Sequence, residues 1–140
     1  MNSLGPQQDA SVVVYSRFRR SVAVALLALA AGCATTPPRA PEEIVKERAQ
    51  LRWNALVQGD VKSAYEYFSP GSRATSTLAE FAGSIRIGFW KAVTVDKVMC
   101  ATDSCEVHTT VEYEHNGMRI KTPHRETWVR DGTDWWFLRR

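Results

Sequence analysis

The first patterned segment of the chain is an unbroken apolar run, Val22 to Ala31, behind the basic cluster Arg17-Phe18-Arg19-Arg20. Ten residues fall well short of the roughly 20 that span a bilayer. The stretch after it, Ala34 to Ala40, holds two prolines and no periodicity, and reads as an extended tether. The period then turns helical: Val45, Ala49, Trp53 and Leu56 share a face, flanked by Ile44, Leu51 and Ala55. Pro41 suits a first turn, Glu42 and Glu43 favour its positive end, and Gly59 fits a left-handed cap. Asp60 is placed to cap a shorter helix from Val61 to Phe68, which Ser69-Pro70-Gly71 ends. Thr77 and Glu80 make a capping box for a third short helix carrying Leu78, Phe81 and Ile85.

After Gly88 the period changes to two. Val93 and Val95 alternate with polar neighbours. Further on, Cys105, Val107, Thr109, Val111 and Tyr113 fall on one face, and Glu106, His108, Thr110, Glu112 and Glu114 on the other, which is polar enough to meet water. Asn116-Gly117 is a type I′ hairpin signal. The following strand runs from Met118 to Arg130 with a bend or bulge expected at Pro123, which cannot donate to a ladder. Asp131-Gly132 turns the chain into a last strand, Trp135 to Arg139. Helices first and an antiparallel meander afterwards mean an α+β domain.

The order of basic cluster, short apolar run, small residues and cysteine marks residues 1–32 as a signal peptide. Leu29-Ala30-Ala31-Gly32-Cys33 resembles the lipobox of bacterial lipoproteins, with Ala30 where that family usually has Leu. The resemblance implies that Cys33 carries lipid and that residues 33–40 tether a domain of residues 41–140. Ala34 lacks the Asp that favours retention in the inner membrane, so the periplasmic face of the outer membrane is the expected address. An ordinary secretory signal, cleaved near Ala28-Leu29-Ala30, is the alternative. Met1 to Tyr15 exceeds what a signal needs, which puts the expected start of translation downstream of Met1.

Removing residues 1–32 changes the charge picture. Three basic residues (Arg17, Arg19, Arg20) and one acid (Asp9) go with them, so a chain of +3 becomes one of 15 basic against 14 acidic residues, or +1. That balance argues against a nucleic-acid partner. All five tryptophans lie in the remaining 108 residues, enough bulk for one small core. With Cys33 committed to lipid, Cys100 and Cys105 form the one remaining pair. Their four-residue separation fits neither a redox motif nor a zinc site, and a disulfide across a tight hairpin is expected.

Trp53-Asn54-Ala55-Leu56-Val57-Gln58-Gly59-Asp60, Ala64-Tyr65-Glu66-Tyr67-Phe68-Ser69-Pro70, and the closing Trp128-Val129-Arg130-Asp131-Gly132 with Trp135-Trp136-Phe137 together resemble the nuclear transport factor 2-like (SnoaL-like, cystatin-like cone) superfamily. The resemblance implies helices packed in the concave face of a curved antiparallel sheet around a conical cavity, and a homodimer through the sheet. It covers enzymes and non-enzymes alike, so fold does not choose between them. His124 and Glu126, two apart on one strand, are the candidate acid–base pair of an isomerase- or dehydratase-like enzyme if their face is concave. His108 belongs to the polar face and His115 to a loop. Trp53, Tyr65, Trp90, Tyr113, Trp128 and Trp136 are the candidates to line a pocket for a small apolar ligand, most aromatic residues being core. No triad, phosphate loop or metal-spaced cluster is legible, and no cofactor or metal is expected. The leading expectation is a non-enzymatic envelope lipoprotein that binds a small ligand or a partner.

Overall fold

The structure is a computed structural model and describes residues 38–140. The signal peptide and Cys33 lie outside the described residues. Arg39–Arg140 form one compact unit of four helices and four strands among the described residues: α1 (Pro41–Gln58), α2 (Val61–Tyr65), α3 (Pro70–Thr75), α4 (Leu78–Ser84), β1 (Trp90–Cys100), β2 (Ser104–His115), β3 (Met118–Asp131) and β4 (Asp134–Leu138). The strands form an antiparallel meander in the order β1-β2-β3-β4. The fold class is α+β: the helices cover the concave side of the curved sheet.

Local chemistry accounts for most boundaries. Pro41 opens α1, and Gly59 closes it at φ 80°. Asp60 accepts from the Ser63 amide, and the Thr77–Glu80 capping box is complete. Asn116 and Gly117 both take positive φ at the β2–β3 turn, as a type I′ turn requires. Two helix boundaries differ from expectation by more than a residue. Helix α2 stops at Tyr65 rather than Phe68, because the next residues join the sheet: Phe137 donates its amide to the Tyr67 carbonyl, and the Ser69 amide donates to the Phe137 carbonyl, both at 2.8 Å. Ser69-Pro70-Gly71 then starts a helix instead of ending one, with Ser69 capping the Ser72 amide and Pro70 in the first turn of α3.

The bend expected at Pro123 is also corrected. Pairing of β2 with β3 runs without a shift through Thr110–Pro123, and the irregularities fall in β1, between Trp90 and Ala92 and between Val95 and Lys97. The reason is position. β4 pairs only with Thr127–Asp131, so at Pro123 the strand has an open side where a missing N–H disturbs no ladder.

The core has two adjoining clusters. Trp53, Leu56, Phe68, Phe81, Val93 and Val111 form one. Val45, Ala49, Val95, Val107, Trp128 and Trp135 form the other. The face of β2 that holds Cys105, Val107, Thr109 and Val111 is buried. Cys100 and Cys105 are register partners at the β1–β2 hairpin and are joined by a disulfide. Part of the outer edge of β1 is covered by one side chain: Gln50 of α1 donates to the Val93 carbonyl (2.8 Å) and accepts from the Val95 amide (3.0 Å), as a neighbouring strand would.

Candidate functional site

Helix α1 sets the floor of the concave face. Its buried stripe, Val45, Ala49, Trp53 and Leu56, includes a charged residue, Arg52, at 5% exposure. The opposite wall is β3, whose alternation turns Glu126 and Trp128 inward. Arg52 Nη1 donates to Glu126 Oε1 at 2.7 Å, and Trp128 Nε1 donates to Oε2 at 3.3 Å. The guanidinium lies 3.7 Å from the Phe137 ring centroid and within 6 Å of those of Trp53 and Phe68. Burial pushes the Arg52 guanidinium below its ordinary value, and the Glu126 carboxylate opposes that shift. Glu126 was singled out from the sequence, but as a partner of His124; Arg52 was not. The signal was present, since position 52 follows Val45 by two turns and Ala49 by three residues, but an arginine is counted as polar in a hydrophobic pattern.

His124 and Glu126 share the concave side yet occupy different surroundings. The Glu126 side chain is 1% exposed and the His124 side chain 50%. His124 Nε2 is 4.0 Å from Glu126 Oε1, beyond a hydrogen bond. The carboxylate already accepts from Arg52 and Trp128, and the imidazole stands edge-on to Trp53 at 5.7 Å between ring centroids. His108, on the opposite face, pairs with Glu106.

The aromatic candidates divide. Trp53, Trp90 and Tyr113 meet Phe89, Val111, Pro123 and His124 around an apolar pocket of about 230 Å³. Trp53 and Trp90 pack edge to face, and Phe89 stacks on Tyr113 at 4.9 Å. Trp53 Nε1 is buried with no hydrogen-bond partner among the described residues. The other three do not line the pocket. Trp128 is fully buried core, and Tyr65 packs on Phe68 and donates to the Ser76 carbonyl. Trp136 lies under the guanidinium groups of Arg48 and Arg73, each about 5 Å from its ring centroid. Phe89, Val111, Thr122 and Pro123 also line the pocket and were not among its candidates; Phe89 sits in the turn before β1, where no strand pattern reports its direction.

Among the described residues no cluster of three or more His, Cys, Asp or Glu side chains could hold a metal ion, and no helix is long and apolar enough to cross a membrane.

No family model and no curated protein matches the sequence. Solved structures do match in fold. A SEC-C motif containing protein of Psychrobacter arcticus aligns with a TM-score of 0.58 at 11% identity, over 74% of this chain and 63% of that one. RPA3114 of Rhodopseudomonas palustris, another SEC-C motif containing protein, aligns at 0.55 and 13% identity over 66% and 73%. A protein of Campylobacter jejuni described as an NTF2-like transpeptidase aligns at 0.49 and 19% identity over 69% and 98%, below the level at which a common fold is read. At such identities these neighbours speak to fold alone.

Proposed function

We propose that this chain is a lipid-anchored lipoprotein of the bacterial envelope whose domain binds a small apolar ligand in its concave aromatic pocket without chemical turnover. The observation that carries the binding reading is the 230 Å³ pocket itself, larger than the roughly 150 Å³ cavity that holds benzene. Its walls are rings and aliphatic groups, with the unpartnered Trp53 N–H in one of its lining side chains. The reading without turnover is supported by Glu126: a carboxylate held between Arg52 and Trp128 and closed from solvent is poorly placed to exchange a proton with a ligand beyond His124. The anchor rests on the sequence around Cys33, where several acyl chains would hold the protein firmly and one would not. Two copies are proposed to pair through the sheet, which sedimentation at two loading concentrations tests; a monomer at both contradicts it.

The test of binding is an NMR titration with indole. The indole N–H signals of Trp53 and Trp90 and the ring signals of His124 shift together, and V111W, which fills the pocket, abolishes the response. No shift at saturating indole, or an unchanged response in V111W, overturns the assignment.

A further inference from the structure

The rings of the aromatic pocket meet as a corner. Trp53 comes from α1 and Phe89 from the turn before β1, while Trp90 and Tyr113 are register partners across β1 and β2. The planes of Trp53 and Trp90 cross at 83° and those of Phe89 and Trp90 at 78°, with ring centroids 5.6 and 5.9 Å apart. Tyr113 continues the Phe89 wall, inclined to it by only 18°. The register shift of β1 between Trp90 and Ala92 falls at this corner, where a bulge re-aims a side chain. A flat ring lies against one such wall and meets the next edge-on. A rounded group presents the same surface to both.

The walls also select for charge. Among the described residues that line the pocket, none is Lys, Arg, Asp or Glu. Arg52, whose guanidinium lies 5.4 Å from the Trp53 ring centroid, is held by Glu126 at 2.7 Å, so the pair adds no net charge. Aromatic rings are negative on their faces and positive at their edges, so what their faces attract beyond apolar contact is a cation. A primary ammonium or a metal ion would leave its hydrogen bonds or water ligands behind on entering walls of this kind, at high cost. A quaternary ammonium has no N–H to satisfy and a surface made of methyl groups, so it loses least. Thr122, Pro123 and His124 are the exposed members of the lining and mark the mouth.

We propose that the pocket's ligand is a small quaternary ammonium compound, its trimethylammonium group seated in the corner of Trp53, Trp90 and the Phe89–Tyr113 stack and the rest of the molecule leaving past His124. The inference rests on the pocket reading above and places a positive charge at the centre of that ligand's apolar surface. A neutral group of the same shape gains the contact with the walls and nothing from their faces; the cation gains both.

Calorimetric titration of the protein with indole, choline, its uncharged carbon isostere 3,3-dimethylbutan-1-ol, and ethanolamine tests this. Choline binds about tenfold tighter than the isostere. Ethanolamine, the same molecule with three N–H bonds in place of three methyls, binds about tenfold weaker than choline or not at all. In protein made with 5-fluorotryptophan and then 5,7-difluorotryptophan, whose ring faces are successively less negative, the advantage of choline falls stepwise while the isostere binds as before. Nuclear Overhauser contacts place the choline methyl protons against the rings of Trp53 and Trp90. Equal affinity of choline and its isostere, an advantage that fluorination leaves intact, ethanolamine as tight as choline, or methyl contacts elsewhere overturns the cationic assignment, and bound indole then keeps the pocket reading standing. Binding of none of the four overturns both.

Discussion

Arg52 and Glu126 carry more consequence than any other pair of side chains in the domain. Both are buried, Arg52 among the rings of Phe137, Trp53 and Phe68 and Glu126 under the Trp128 N–H, and each depends on the other to compensate the loss of water. Removing one partner strands the other: R52M or E126Q should destabilise the protein by about 3–5 kcal/mol. Replacing both with apolar residues, R52M/E126L, should come close to neutral, since the pair's net contribution over a packed core is small. Urea denaturation of the three variants decides this; a double variant as unstable as the worse single one contradicts it. At the surface, Asp60 and Glu80 have their carboxyl values lowered by hydrogen bonds from Ser63 and Thr77. A depressed folded-state value gives stability that is present above the ordinary carboxylate range and is lost as pH falls through it. Replacing both with their amides, D60N/E80Q, should therefore flatten the fall in stability below about pH 4; an unchanged slope in acid denaturation contradicts the assignment.

Elements were legible in the sequence where one or two residues decide them. Gly59, the Thr77–Glu80 box and Asn116-Gly117 each act within a turn of chain, and each stands as its residues imply. The alternation of β2 predicted its buried face for the same reason. What local reading missed depends on pairing across the fold. Pro70 looks like a stop signal until Ser69 is seen capping the residues after it, and Phe68 looks helical until its neighbours bond to β4. The irregularities of β1 have no proline or glycine to announce them. Gln50 belongs to the same class, an exposed-looking helix residue that covers part of a sheet edge. Q50A should cost about 1–2 kcal/mol for two hydrogen bonds, and the Val95 amide should then exchange with solvent much faster. Unaltered exchange at Val95 contradicts that role. The Cys100–Cys105 staple was readable from pairing arithmetic together with the strand patterns on both sides of its loop, and its removal in C100S/C105S should cost about 2 kcal/mol, read as a shift in the urea midpoint.

At the scale of the molecule, an amphipathic helix and a meander pattern were enough to give the α+β class, because both report directly which side faces the core. The candidate site was only half legible. Trp53, Trp90, Tyr113 and His124 converge on one pocket, but Glu126 is drawn away from it by an arginine whose inward direction no polar pattern shows. The proposed anchor at Cys33 places this pocket outside the cytoplasmic membrane, and mass spectrometry of the membrane fraction should find the lipid on that residue; an unmodified Cys33 in a soluble protein contradicts it. The central claim is that the concave aromatic pocket is a ligand site. Its most direct test is a crystal of the protein soaked in 4-bromoindole and measured at the bromine edge. The account predicts an anomalous peak enclosed by Trp53, Trp90 and Tyr113. Bromine found only elsewhere, or no peak at saturating ligand, contradicts it.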